Sequence, residues 1–235
     1  MIHATLPVPL RRKSFRDRLL TSNRFSLWQA GGVKSVTIAA GFVCSDGLVV
    51  ACDLEITEAT IKRVGGKSTS VAFGKDSAIA ITGSGRYDLL AFACEQLTKD
   101  IQGATIDEVE DWLRRRMREL YKMYIRPCYD TAELDSVLQL LVGIVVAGEK
   151  RIYISNRNVL RRTGPYDFTG AGRDLAFYLA ERSKPVDGIP SLQETGKRSR
   201  ELIREVSKNV PGCGQDVTVI AIGQNGCISY LVDDS

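Results

Sequence analysis

The stretch VTIAAGFVCSDGLVVACD, from Val36 to Asp53, decides how the chain folds. It holds two apolar, β-rich runs split by Asp46-Gly47. Asp-Gly between such runs is the strongest short-range hairpin signal. A hairpin here sends the chain out and back, so Thr37 at its start and Asp53 at its end finish near one another. Lys67 follows shortly after. A threonine, a carboxylate and an ammonium can support nucleophilic chemistry without histidine. That matters because the single histidine is His3.

Beyond this hairpin the pattern alternates between strand pairs and helix pairs. Residues 56–66 are polar and end in glycine, which predicts a loop or irregular arm. Ser68–Phe73 and Ser77–Thr82 flank Gly74-Lys75-Asp76 as a second hairpin. Gly83-Ser84-Gly85 is expected to break the strand. Residues 87–97 place Leu89, Leu90, Ala93 and Leu97 at helical spacing. The capping-box pattern Thr105-Ile-Asp-Glu108 opens a helix to about Tyr124. Residues 137–147 read as a buried strand, with a turn at Glu149-Lys150 and strands over 151–155 and 159–162. Phe168-Thr-Gly-Ala-Gly172 leads into a helix over 174–183. Ser191-Leu-Gln-Glu194 opens another, to about Asn209, and 215–222 with 227–232 form a last hairpin around Asn225-Gly226. Hairpin-linked strands imply antiparallel sheets. The expected architecture is therefore α+β: a four-layer αββα sandwich of two antiparallel sheets flanked by helices.

The 235 residues and 44% hydrophobic content suit one large domain or two small ones. The net charge of +4 is unevenly spread. Residues 1–34, rich in arginine with Asp17 as their sole acid, are expected to form a basic extension or leader, and residues 35–235 the folded domain. That nearly neutral body argues against nucleic acid as a partner. A basic head that binds an anionic surface or nucleic acid, while the body only oligomerises, is a separate reading, marked by strong salt dependence. The longest apolar stretch falls short of a membrane span. Six cysteines without a C-x-x-C pair, and without a nearby histidine, argue against a zinc site and for free thiols in a reducing compartment. No cofactor is expected, and the cytoplasm is the expected location.

Four segments together carry a family resemblance: VTIAAGFVCSDGLVVACDLEIT, the lysine before SVAFGKDSAIAITGSG, FTGAGRDLAFYLAER, and DVTVIAIG. Their order resembles the proteasome-type branch of the N-terminal-nucleophile hydrolases, as a divergent bacterial-like or beta-like member. The resemblance implies a peptidase whose chain is cut before Thr37. It assigns Thr37 as nucleophile, Asp53 and Lys67 as its charged partners, the backbone N–H of Gly83 to the oxyanion, and a supporting place to Asp216. It implies self-assembly into rings, alone or with related subunits, and a polypeptide substrate. An ATP-dependent unfoldase is a further partner it admits.

The chemistry is self-consistent. A threonine hydroxyl needs a base. The residue's own α-amino group, with an ordinary pKa of about 7.7–8.0, suits that role near neutral pH. An adjacent ammonium favours the neutral amine and steadies charge on the hydroxyl oxygen, and a carboxylate keeps that ammonium in place. Three departures point the other way. Val36 stands where active members carry glycine, Ile38 replaces a second threonine, and Ala171 falls where a supporting serine is usual. An inactive structural ring subunit of the same fold is the alternative reading.

Overall fold

The computed structural model describes residues 37–58, 61–129, 137–183 and 188–231. The basic extension, residues 1–34, lies outside them. The first hairpin is β1 (Ile38–Cys44) and β2 (Gly47–Asp53), with Ser45-Asp46 as its turn and Gly47 already paired with Cys44. Both strands are buried almost throughout, which explains their continuous apolar character.

The segment expected to be irregular is instead a second hairpin, β3 (Glu55–Glu58) and β4 (Ile61–Val64), a separate two-stranded sheet. Its alternating charged and apolar residues looked loop-like because such a short ribbon has no continuous apolar run. β5 (Thr69–Ala72) and β6 (Ser77–Gly85) follow. The glycines at 83 and 85 do not break β6. The strand stays paired with β7 (Leu138–Val146) through Gly85, opposite Leu138. A side chain at Gly83 would run into the Gln139 carbonyl. Glycine here permits close strand approach rather than a turn.

β8 (Glu149–Asn156) and β9 (Val159–Arg162) complete that sheet, in the order β5-β6-β7-β8-β9. The β7–β8 turn is Ala147-Gly148, two residues earlier than the polarity of Glu149-Lys150 suggested. Both turn residues have positive φ, 48° and 82°, the geometry of a tight hairpin. The other sheet runs β10-β1-β2-β11-β12, where β10 is Tyr166–Gly170, β11 is Val217–Gly223 and β12 is Ile228–Tyr230. Every pairing in both sheets is antiparallel. β10 was not foreseen as a strand, because its last three residues belong to the run Phe168-Thr-Gly-Ala-Gly172, which resembles a helix leader. It pairs along β1, with Ile38 opposite Gly170.

Four helices are described: α1 (Tyr87–Thr98), α2 (Ile106–Leu120), α3 (Arg173–Arg182) and α4 (Leu192–Asn209). Thr105 caps α2 with a full capping box, its hydroxyl accepting from Glu108 N–H while Glu108 returns the favour. α2 ends in a π-helical turn over Tyr121–Ile125, so its apolar face extends to about the point expected. α1 and α2 bury Leu90, Leu97, Leu113 and Met117 against Ile79, Ile81 and Leu140 of one sheet. α3 and α4 bury Ala176, Ile203 and Val206 against Ile38, Val49 and Phe168 of the other. A third cluster, including Leu48, Val50, Ala80, Leu141, Ile152 and Ile220, fills the space between the sheets. The layers are thus helix, sheet, sheet, helix, as expected for the α+β sandwich. Side chains on alternate positions of each strand serve the two faces. Arg151 on β8 also ties α2 down, bonding Asp107 and Glu110, while Tyr153 donates to Glu110.

Candidate active site

Two hairpins in series build the site. The first returns the chain from Thr37 to Asp53, since Ala39 lies opposite Cys52. The second returns it from Asp53 towards Lys67, because Glu55 lies opposite Val64 and Gly65 N–H donates to Leu54 carbonyl at 3.0 Å. The outcome is contact. Lys67 Nζ lies 2.9 Å from Thr37 Oγ1 and 3.0 Å from Asp53 Oδ2. Thr37, Asp53 and Lys67 are 2%, 0% and 4% exposed. The ammonium therefore bridges a hydroxyl and a carboxylate out of bulk water, where charge interactions are strongest.

Asp53 is the hub. Its Oδ1 accepts from Ile38 N–H at 3.0 Å. Its Oδ2 accepts from Glu55 N–H at 3.2 Å, from Gly214 N–H at 2.9 Å, and from Lys67. The carboxylate thereby joins β1, the β2–β3 junction, the lysine loop and the loop before β11. Burial pushes its carboxyl above the ordinary value of 3.8, and Lys67 with the Gly214 and Ile38 amides opposes that shift.

Gly83 sits on β6 beside Thr82, whose hydroxyl donates to the Lys67 carbonyl at 3.0 Å. The position of Asp216 is a correction. Its side chain is exposed, while the cluster is buried; only its backbone carbonyl takes part locally, accepting from Leu54 N–H at 2.9 Å. Asp216 falls one residue before β11, outside the strand itself. Ala171 is exposed and supplies no hydroxyl.

Sequence reasoning missed two contributors. One is Gly214, whose amide holds Asp53. The Pro211-Gly212-Cys213-Gly214 run does mark a tight loop, and such loops expose backbone N–H groups. The other is Gly170. Its φ is +99°, and a side chain there would overlap the Thr37 carbonyl. Gly170→Ala is expected to cost about 2 kcal/mol or more from backbone strain alone. A thermal melt would check this: a drop of roughly 5 °C or more is expected, and an unchanged midpoint would contradict the packing described.

The thiols are free, with Cys44, Cys52, Cys94 and Cys213 buried and Cys128 and Cys227 exposed. Burial raises Cys44 to about 11, and Cys94 and Cys213 to about 12; it raises Cys52 as well. For Cys213 the nearby Asp53 adds to that rise, and Lys67 opposes it. The thiolate is the reactive form. Maleimide on the native protein near neutral pH is therefore expected to modify Cys128 and Cys227 alone, with all six reacting in denaturant. Rapid native modification of Cys213 would show that the site is open to solvent.

No protein-family model matches the chain, and no curated protein is significantly similar in sequence. Solved structures are similar. Anbu (ancestral beta-subunit) from Yersinia bercovieri superposes with a TM-score of 0.66 at 14% identity, covering 84% of this chain and 88% of that one. The helical assembly of the Anbu complex from Pseudomonas aeruginosa gives 0.67 at 13%, covering 85% and 88%. A Gly-1 mutant of Anbu from Hyphomicrobium sp. strain MC1 gives 0.65 at 13%, covering 84% and 88%. These neighbours correct the family expected from sequence. They are ancestral beta-subunits, a proteasome-related but distinct family, rather than proteasome subunits. At this identity the likeness establishes the fold.

Proposed function

We propose that this chain, once cut before Thr37, hydrolyses peptide bonds with the N-terminal threonine as nucleophile, within an assembly of copies of itself. The observation that carries the reading is the buried contact of Lys67 with both Thr37 Oγ1 and Asp53 Oδ2, at 2.9 and 3.0 Å. Cleavage would free the Thr37 α-amino group, which takes the proton from Oγ1 as the hydroxyl attacks a substrate carbonyl. Lys67 donates to the oxygen that loses its proton, and Asp53 holds Lys67 charged and in place. The Gly83 N–H would stabilise the resulting oxyanion. The amine then passes its proton to the leaving nitrogen, and water releases the acyl group by the same route. No metal or cofactor enters these steps.

Self-assembly fits the fold, and the Pseudomonas aeruginosa Anbu complex forms a helical assembly. A ring or a helical array of copies would shield the site from folded proteins. The buried free thiols suit a reducing compartment such as the cytoplasm. The second reading, a structural subunit without activity, is favoured by the exposed Ala171 and Asp216, which leave the cluster without the expected supporting side chains.

Intact mass of the purified assembly, paired with hydrolysis of fluorogenic peptide amides, separates the two. The hydrolase reading expects chains that begin at Thr37 and turn over substrate. Assembled particles that retain the segment before Thr37 and cleave nothing would support the structural reading.

A further inference from the structure

The layer between the two sheets changes character towards the site. Most of it is aliphatic, but near the rim that holds Thr37 it becomes polar, with Thr82, Ser84 and Thr169 buried there. Thr82 and Thr169 are fully buried and Ser84 is 7% exposed. Such groups are costly between sheets unless each is bonded.

Each is bonded. Ser84 Oγ lies 2.9 Å from Thr169 Oγ1. The Thr169 hydroxyl donates to Gln139 Oε1, so Ser84 must be the donor to Thr169, since a hydroxyl carries one proton. Gln139 lies directly opposite Ser84 in the β6–β7 ladder. Thr169 comes from the facing sheet, next to Gly170, which packs on the Thr37 carbonyl. On the other flank of Gly83, Thr82 Oγ1 donates to the Lys67 carbonyl at 3.0 Å.

Gly83 is therefore held from both sides. Through Thr82 it is tied to the loop that carries the ammonium. Through Ser84 and Thr169 it is tied to the strand that abuts the nucleophile. We infer that Ser84 and Thr169 are positioning residues: their inter-sheet hydrogen bond fixes the Gly83 N–H relative to Thr37 Oγ1, so that the oxyanion donor and the nucleophile keep their spacing. The inference rests on the hydrolase reading above and goes beyond it. Pairing with β7 holds Gly83 within its own sheet, and the side chains of its two neighbours tie that sheet to the lysine loop and to the strand beside the nucleophile.

Three variants of the mature, assembled protein test this: Ser84→Ala, Thr169→Val and Thr169→Ser. The probe is a β-lactone, which acylates a hydroxyl through a tetrahedral oxyanion and adds its whole mass. Misplacing a reacting group by about 1 Å costs on the order of 100-fold. Ser84→Ala and Thr169→Val are expected to lower kinact about 10- to 100-fold with KI little changed. Thr169→Ser, which keeps the hydroxyl, is expected to restore it. Hydrogen exchange over residues 82–85 is expected to quicken in the first two variants, whether or not the protein is active. A thermal melt confirms that each variant folds.

The outcomes are separable. A parent protein that never forms the adduct would overturn the hydrolase reading, and the catalytic meaning of the clamp with it. Labelling of Thr169→Val at the parental rate, or unchanged exchange over residues 82–85, would overturn the clamp while leaving that reading intact. A Thr169→Ser variant as slow as Thr169→Val would also count against it, because packing rather than the hydrogen bond would then be the cause.

Discussion

Thr37→Ala is expected to abolish peptide hydrolysis and the cut before residue 37, with a loss of at least about 10³-fold in kcat. The side chain contributes one thing that alanine cannot replace: an oxygen 2.9 Å from Lys67 Nζ. The other side chain bonded to that ammonium, Asp53, is committed to four donors. The Cys213 thiol is held near 12 by burial. The fold, by contrast, asks little of the Thr37 hydroxyl. Ile38 begins β1, and the Asp53–Lys67 pair survives the change. The variant is therefore expected to assemble like the parent and melt within a few degrees of it. Thr37→Ser keeps an oxygen in reach and is expected to retain measurable activity. Substantial turnover by Thr37→Ala would place the chemistry elsewhere.

Asp53→Ala is expected to damage both activity and fold. Truncation strands Lys67 as a buried cation and leaves the amides of Ile38, Glu55 and Gly214 without their acceptor. Breaking a buried pair by removing one partner costs about 3–5 kcal/mol, or roughly 10 °C in a domain of this size. Asp53→Asn preserves shape and some of the hydrogen bonding, and is expected to lose less stability than alanine while still losing most activity. The carboxylate form is the working one. Since burial sets its titration above 3.8 in the folded state, activity is expected to fall as pH drops through a midpoint above that value. Asp53→Asn removes this acid limb. A melting point for Asp53→Ala equal to that of the parent would contradict the hub described for this residue.

Much of this was legible in the chain, for definable reasons. The first hairpin was readable because two continuous apolar runs flank a turn, and its register follows from its short loop. The capping residues Thr105 and Ser191 marked the starts of α2 and α4, since their side chains accept from Glu108 and Glu194 amides as the spacing requires. What stayed hidden depends on tertiary contact. β3 and β4 carry no apolar run, yet they set the distance from Asp53 to Lys67. β6 continues through Gly83 and Gly85 because β7 stays beside it, which local propensity cannot reveal. Gly214 contributes an amide rather than a side chain, so no residue type announces it. Asp216 illustrates the converse: a charged residue near a matching motif whose side chain faces solvent.

Mapping a β-lactone adduct on the mature protein by tandem mass spectrometry tests most directly whether Thr37 is the nucleophile. One adduct per chain is expected, on Thr37, absent from Thr37→Ala and strongly slowed in Lys67→Ala. An adduct on another residue, or none on a correctly assembled chain that begins at Thr37, would contradict that role.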